Sequence, residues 1–245
     1  IKPINPIITS KIEEQNNPSL QLTLSDKDFD YLDSNKKEFV KTVLPIIINE
    51  NQNILMIRSF VNELKGKLET FRTLNNNEIR KLNDIAKKYN IKYQNKHKLD
   101  LVDEILSNVD VIPNSIVLAQ AAIESGWGKS RFAKEYNALF GEYTYDDSEG
   151  VIPLERENGD THLIKSFSSY SNSVESYFDN INSHYAYEDF RDIRNIMRKR
   201  NNFSNVNLLV NKLSTYAEDE NYIKTIRQVI KTNNFGIFDQ KTISY

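Results

Sequence analysis

Cysteine is absent from this 245-residue sequence, which excludes a disulfide framework, a thiolate nucleophile and cysteine-ligated zinc. Histidine is scarce: His97, His162 and His184 are the 3 present, and none stands at metal-ligand spacing from another. HExxH, a Walker-type glycine loop and a GxSxG elbow are all missing, so the zincin, P-loop and serine-hydrolase classes lose their usual signals. Neither sign of charge dominates. Lys and Arg number 32 against 34 Asp and Glu, a net charge of −2, which gives no electrostatic reason to expect nucleic acid or an anionic membrane as partner. Long apolar runs are lacking too; the longest, such as Val43–Ile48, is broken by Pro45, and stable membrane insertion is not expected. The first residue is Ile1 in place of Met, which reads as a start after a removed leader or an artificial cut.

What remains is enough for a packed core. Hydrophobic residues make up 39% and charged residues 27%, and the length suits one sizeable domain or a catalytic domain with a helical extension. Tyrosine is plentiful, 13 against 1 Trp. Its ring packs on sugar C–H faces while its hydroxyl bonds, but ordinary cores use it equally well.

Along the chain, residues 1–26 carry Pro3, Pro6 and Pro18 and the polar run Glu13–Asn17, which predicts an extended or poorly ordered arm. Apolar positions recur at helical spacing from about Ser34 to Phe71, predicting a long helix or a helical pair, kinked at Pro45. Helices are expected near 76–90, with the Asn75-Asn76-Asn77 run as turn and N-cap, and near 97–108. Residues 27–110 thus form an N-terminal helical extension. Pro113 suits a first helical turn, and the helix it opens should end near Gly126, where Ser-Gly-Trp-Gly supplies two stopping glycines. A short helix covers about 129–138. Between 139 and 168 the pattern turns extended, and Asn158-Gly159 is a hairpin signal. Helical periodicity returns from Ser171 in about four segments ending near Asn233.

Glu124 closes an Ala-rich helix. Small Ala119, Ala121 and Ala122 permit close packing, so the helix is expected to be central and Glu124 partly buried. Burial disfavours the carboxylate and raises its pKa, as a general acid for glycoside cleavage requires. A solvated glutamate at a helix end is the bland alternative.

The run Val117 to Gly128 (VLAQAAIESGWG), then Ser130-Arg131-Phe132-Ala133 and Asn137-Ala138-Leu139-Phe140-Gly141, closely resembles the glucosaminidase motif of glycoside hydrolase family seventy-three, in its Bax-type branch. The resemblance resumes at Ser183–Tyr187 and Leu213–Tyr222, and is weaker over about 29–110 and Asn234–Asp239. It implies a mainly α (α+β) fold, a lysozyme-like helical lobe with a small β-hairpin lobe at about 139–168 and a glycan groove between them, within a glucosaminidase domain at 111–245. It implies Glu124 as the catalytic acid. A second acidic residue belongs on the hairpin, where Leu154–Gly159 favours Glu155; Glu157, two positions on and on the same strand face, is the alternative, and solvated hairpin charge is the bland reading of both.

Tyr216 matches an active-site tyrosine of the family and is expected to contact substrate. His184 and Tyr222 fall in matching segments as substrate contacts or structural supports, and Trp127 and Phe140 as supports. Glu142 is expected at the surface beside the groove, and the basic run Arg194–Arg200 on the wet face of a helix. The implied reaction is hydrolysis of the β-1,4 bond between N-acetylglucosamine and N-acetylmuramic acid in peptidoglycan glycan strands, in the periplasm or cell exterior, with no metal or organic cofactor. A lytic transglycosylase and a catalytically decayed peptidoglycan-binding module are the rivals.

Overall fold

The computed structural model describes residues 29–152, 163–202, 205–217 and 219–241. The fold is mainly helical with one small antiparallel sheet, as expected. The N-terminal arm proposed for residues 1–26 lies outside the described residues.

Helix α1 spans Ser34–Glu69 as one element, so the helical-pair alternative does not hold. Asp33 caps it by accepting from the Lys36 N–H at 3.0 Å. Pro45 sits inside the helix and is exposed, while its neighbours Val40, Val43, Leu44, Ile47 and Ile48 form a buried stripe. Burial of that stripe outweighs the hydrogen bond that proline removes. Helix α1 packs along α3 (Lys98–Asn108), α4 (Asn114–Glu124) and α6 (Tyr170–Ser183), so it shares one hydrophobic core with the segments after residue 110. Helix α2 (Asn76–Lys88) opens with a capping box in which Asn75 and Glu78 satisfy each other's backbone N–H groups.

Helix α4 is the centre of the molecule: every residue from Asn114 to Ala122 is buried. Pro113 offers its N-terminus no side-chain cap. Two buried side chains from distant elements supply the missing polar contacts. Asp239, in the 3₁₀ turn Phe235–Lys241, accepts from the Ser115 N–H at 2.8 Å and from its hydroxyl at 2.6 Å. Asn51 of α1 clamps Ile112, accepting from its N–H at 3.0 Å and donating to its carbonyl at 2.9 Å. A carboxylate at a helix N-terminus is favoured by the helix dipole. The periodicity past Asn233 is lost because this anchoring turn is 3₁₀.

Three short strands make the sheet, β1 (Tyr143–Thr144), β2 (Gly150–Val151) and β3 (Leu163–Lys165), in the order β1-β3-β2, both pairs antiparallel. A side chain at Gly150 would collide with Leu163 Cβ and Thr144 Cγ2, so glycine is needed where β2 crosses β3. The remaining helices are α5 (Arg131–Tyr136), α7 (Glu188–Lys199), α8 (Val206–Val210) and α9 (Tyr222–Thr232). Among the described residues no helix is long and apolar enough to cross a membrane.

The basic run at the end of α7 corrects the expectation of a wet face. Arg194 is fully buried and donates to the carbonyls of Asn108, at 2.6 Å, and Asp110, at 2.9 Å. Arg198 grips the buried Asp110 carboxylate with Nε at 2.9 Å and Nη2 at 2.5 Å. The basic letters neutralise an acid 84–88 residues away, a partner that helix periodicity does not reveal.

Two carboxyls make stability depend on pH. Asp179 of α6, facing Lys88 at 3.4 Å with Glu175 and Glu50 nearby, is pushed up to about 7 by burial, against the opposing pull of Lys88. Asp239 is raised to about 6, again by burial, with the Ser115 bonds pulling the other way. A carboxyl whose folded pKa exceeds its unfolded value of about 3.9 binds its proton more tightly when folded. That contribution is complete below the unfolded value and lost as pH rises through 6 to 7. Melting temperature is therefore expected to fall from pH 5 to pH 8. Asp179→Asn should make the fall shallower; an unchanged slope in calorimetry would show that this carboxyl does not drive it.

Candidate active site

The end of α4 sets the position of Glu124. Ser125 donates to the Ala121 carbonyl at 2.5 Å, and the Trp127 N–H closes back on Ala122 at 2.8 Å. Gly126, Trp127 and Gly128 all take left-handed backbone angles, so the helix stops directly after Glu124. Trp127 tolerates φ 59° because its ring is fixed between Phe39, at 5.7 Å, and Phe235, at 6.1 Å. This is the structural support expected of it.

Glu124 is half-buried, and burial raises its pKa. One contact opposes the rise: the Tyr222 hydroxyl donates to Oε1 at 2.7 Å. Placement at the C-terminal, negative end of a helix also disfavours the charged form. The other oxygen, Oε2, faces Gly141, where a Cβ would stand 3.7 Å away on a left-handed backbone of φ 62°. Glycine there leaves the approach to Oε2 clear.

Three of the expected site residues converge. Tyr222, first residue of α9, bonds Glu124 and stacks on Tyr216 with ring centroids 5.7 Å apart and planes 3° from parallel. Tyr216 donates to the Phe140 carbonyl at 3.0 Å, tying its ring to the segment that carries Gly141. Phe140 in turn stacks on Tyr177 of α6 at 4.2 Å. His184 stands apart. It is exposed, its Nδ1 accepts from the Ala186 N–H at 3.2 Å to cap the 3₁₀ turn Tyr185–Tyr187, and among the described residues its ring reaches the cluster through Tyr187 at 6.1 Å. Glu155 and Glu157 lie outside the described residues, as does the Asn158-Gly159 turn.

Glu142 departs from its expected surface role. Its side chain turns inward, accepting from Ser176 at 2.8 Å, and its Oε1 is buried without a hydrogen-bond partner among the described residues. Burial raises its pKa, with Ser176 and Lys165 pulling it back. Burial also pushes the Tyr187 phenol up to about 12, and the charges of Glu142 and Glu124 add to that rise.

Sequence reasoning also misses Gln120 and Tyr177. Gln120 is fully buried, accepts from Tyr177 at 2.6 Å and donates to the Tyr222 oxygen at 3.0 Å. The i, i+4 spacing of Gln120 and Glu124 places both on one helix face and offered a signal. Nothing local marks Tyr177.

The family model described as "Glucosaminidase: Mannosyl-glycoprotein endo-beta-N-acetylglucosaminidase" matches residues 99–235. The chain belongs to the glucosaminidase family. It is a glycoside hydrolase of the endo-β-N-acetylglucosaminidase type. Among its relatives, protein bax of Escherichia coli is 31% identical over 213 residues, covering 86% of this chain and 74% of that one. Peptidoglycan hydrolase FlgJ of Escherichia coli is 34% identical over 92 residues, covering 34% of this chain and 29% of FlgJ. The crystal structure of the catalytic domain of the autolysin Auto from Listeria monocytogenes aligns with a TM-score of 0.48 at 15% identity, over 97% of this chain and 100% of that one. The glucosaminidase match runs from within α3 to the 3₁₀ turn after α9 and so contains Gln120, Glu124, Gly141, Tyr177, Tyr216 and Tyr222.

Proposed function

We propose that this glucosaminidase hydrolyses peptidoglycan at the β-1,4 bond between N-acetylglucosamine and N-acetylmuramic acid, with Glu124 as general acid. The carrying observation is Glu124 itself: half-buried, with a raised pKa, one oxygen held by Tyr222 and the other facing glycine. A carboxyl protonated in that setting can donate to a leaving glycosidic oxygen. Exposed Tyr143, in β1, and Tyr145, just after it, offer rings suited to sugar C–H faces. The family and the peptidoglycan hydrolase relative support the substrate class, and action on it implies the periplasm or cell wall. Whether a second carboxylate, Glu155 or Glu157, activates water or the substrate's acetamide attacks C1 determines the stereochemistry.

Digestion of purified murein followed by mass spectrometry tests the reading. Fragments with N-acetylglucosamine at the reducing end are expected; anhydro-muramyl ends would make the protein a lytic transglycosylase, and retention on murein without soluble fragments a binding module. Tyr216 is proposed to shape the site through its bond to Phe140. Tyr216→Phe should lower turnover while changing stability by about 1 kcal/mol, the scale of one hydrogen bond. A large loss of melting temperature at unchanged specific activity would make Tyr216 a core residue only.

A further inference from the structure

Four side chains form a hydrogen-bonded line into the catalytic helix. The Tyr177 hydroxyl donates to Gln120 Oε1 at 2.6 Å, Gln120 Nε2 donates to the Tyr222 oxygen at 3.0 Å, and the Tyr222 hydroxyl donates to Glu124 Oε1 at 2.7 Å. Against an ionised Glu124 each link has one direction. An amide donates from nitrogen and accepts at oxygen, and a phenol carries one proton. Reversing the Gln120 amide would draw the Tyr222 proton to the amide oxygen. That would leave a phenol lone pair facing the ionised carboxylate at 2.7 Å and take from the Tyr177 hydroxyl the oxygen it donates to.

We infer that Gln120 is a positioning residue that aims the Tyr222 proton at Oε1 of Glu124 and so confines the exchangeable proton to Oε2, the oxygen beside Gly141. This rests on the reading of Glu124 as the acid. Gln120 and Tyr177 are both fully buried, out of reach of bulk solvent. As the acid gives up its proton, the Tyr222 bond strengthens against the developing carboxylate, which is the stage at which a bond of this kind assists turnover. Gln120 increases that effect by polarising the phenol, since serial hydrogen bonds reinforce one another. The line also sets the acid's working range: burial pushes the carboxyl up, and the aimed phenol pulls it back.

The test uses the full chain and reads two signals. One is the carbon-13 titration of the Glu124 carboxyl, assigned by its loss in Glu124→Gln. The other is the basic limb of kcat/KM against pH on murein, which follows the pKa of a required acid. Gln120→Met keeps an unbranched side chain of similar volume in the core. It is expected to move both signals to higher pH and to lower kcat/KM at the wild-type optimum by about 3- to 10-fold, the range of one weakened hydrogen bond. Tyr222→Phe should move them further in the same direction, and adding Gln120→Met to it should add little, because Gln120 acts through that hydroxyl. A folded Gln120→Met whose Glu124 titrates as in the wild type overturns the inference, as do fully additive effects in the double variant. Tyr177→Phe, which frees the amide without touching Gln120 or Glu124, is read the same way if Gln120→Met fails to fold. A carboxyl signal that moves while the basic limb stays put supports the line and overturns Glu124 as the acid.

Discussion

Glu124→Gln is expected to leave the fold intact and reduce murein turnover by at least ~10²–10⁴, the contribution of a general acid. The amide keeps the shape of the carboxyl, and its oxygen can still accept from Tyr222 at the position of Oε1. Its nitrogen then faces Gly141, which carries no side chain to crowd it. What is lost is the acidic proton alone. The folded state should gain slightly if it changes at all, because burial disfavours the charge being removed. Release of soluble fragments from labelled murein measures the first part, and the melting temperature the second. A well-folded variant digesting at near wild-type rate would remove Glu124 from the chemistry and, with it, the proposed mechanism.

The elements around Glu124 were legible because each is written locally. The small residues of α4, the stopping glycines after it and the apolar stripe of α1 are periodic or punctuating signals that need no distant partner. The sheet lobe was legible as a change of pattern, although its order, with β3 between β1 and β2, depends on pairing that no single strand encodes. The polar groups that complete the site were harder to see. Tyr177 orients an amide 57 residues earlier in the chain, and Tyr222 reaches Glu124 across 98 residues. Glu142 read as a surface charge because its partner, Ser176, arrives from α6, 34 residues on. Side chains of this kind take their role from what faces them.

Asp110 carries that argument to its largest effect on stability. The carboxylate is fully buried between three guanidinium groups: Arg58 Nε lies 3.3 Å from Oδ1, Arg198 binds both oxygens, and Arg194 adds its charge. Burial alone would raise its pKa; Arg198, Arg58 and Arg194 outweigh it and hold the carboxyl below the ordinary value. The same arginines serve the backbone, Arg58 donating to the Leu106 and Val109 carbonyls at 2.6 Å each. The cluster thus fastens the end of α3 and the short linker that leads directly into α4. Asp110→Asn preserves the shape and strands three cations without a counter-charge. Breaking a buried ion pair on one side costs about 3–5 kcal/mol, a large part of the ~5–15 kcal/mol that holds a typical domain together. Chemical denaturation should show a loss of that size, whereas Arg200→Ala at the exposed end of α7 should stay within about 0.5 kcal/mol. Adding Arg198→Met to Asp110→Asn should recover part of the loss by removing one stranded charge. A loss below about 1 kcal/mol in Asp110→Asn would mean that solvent already screens the cluster, as it screens surface pairs. The anchor of α4 would then rest on Asn51 and Asp239 instead.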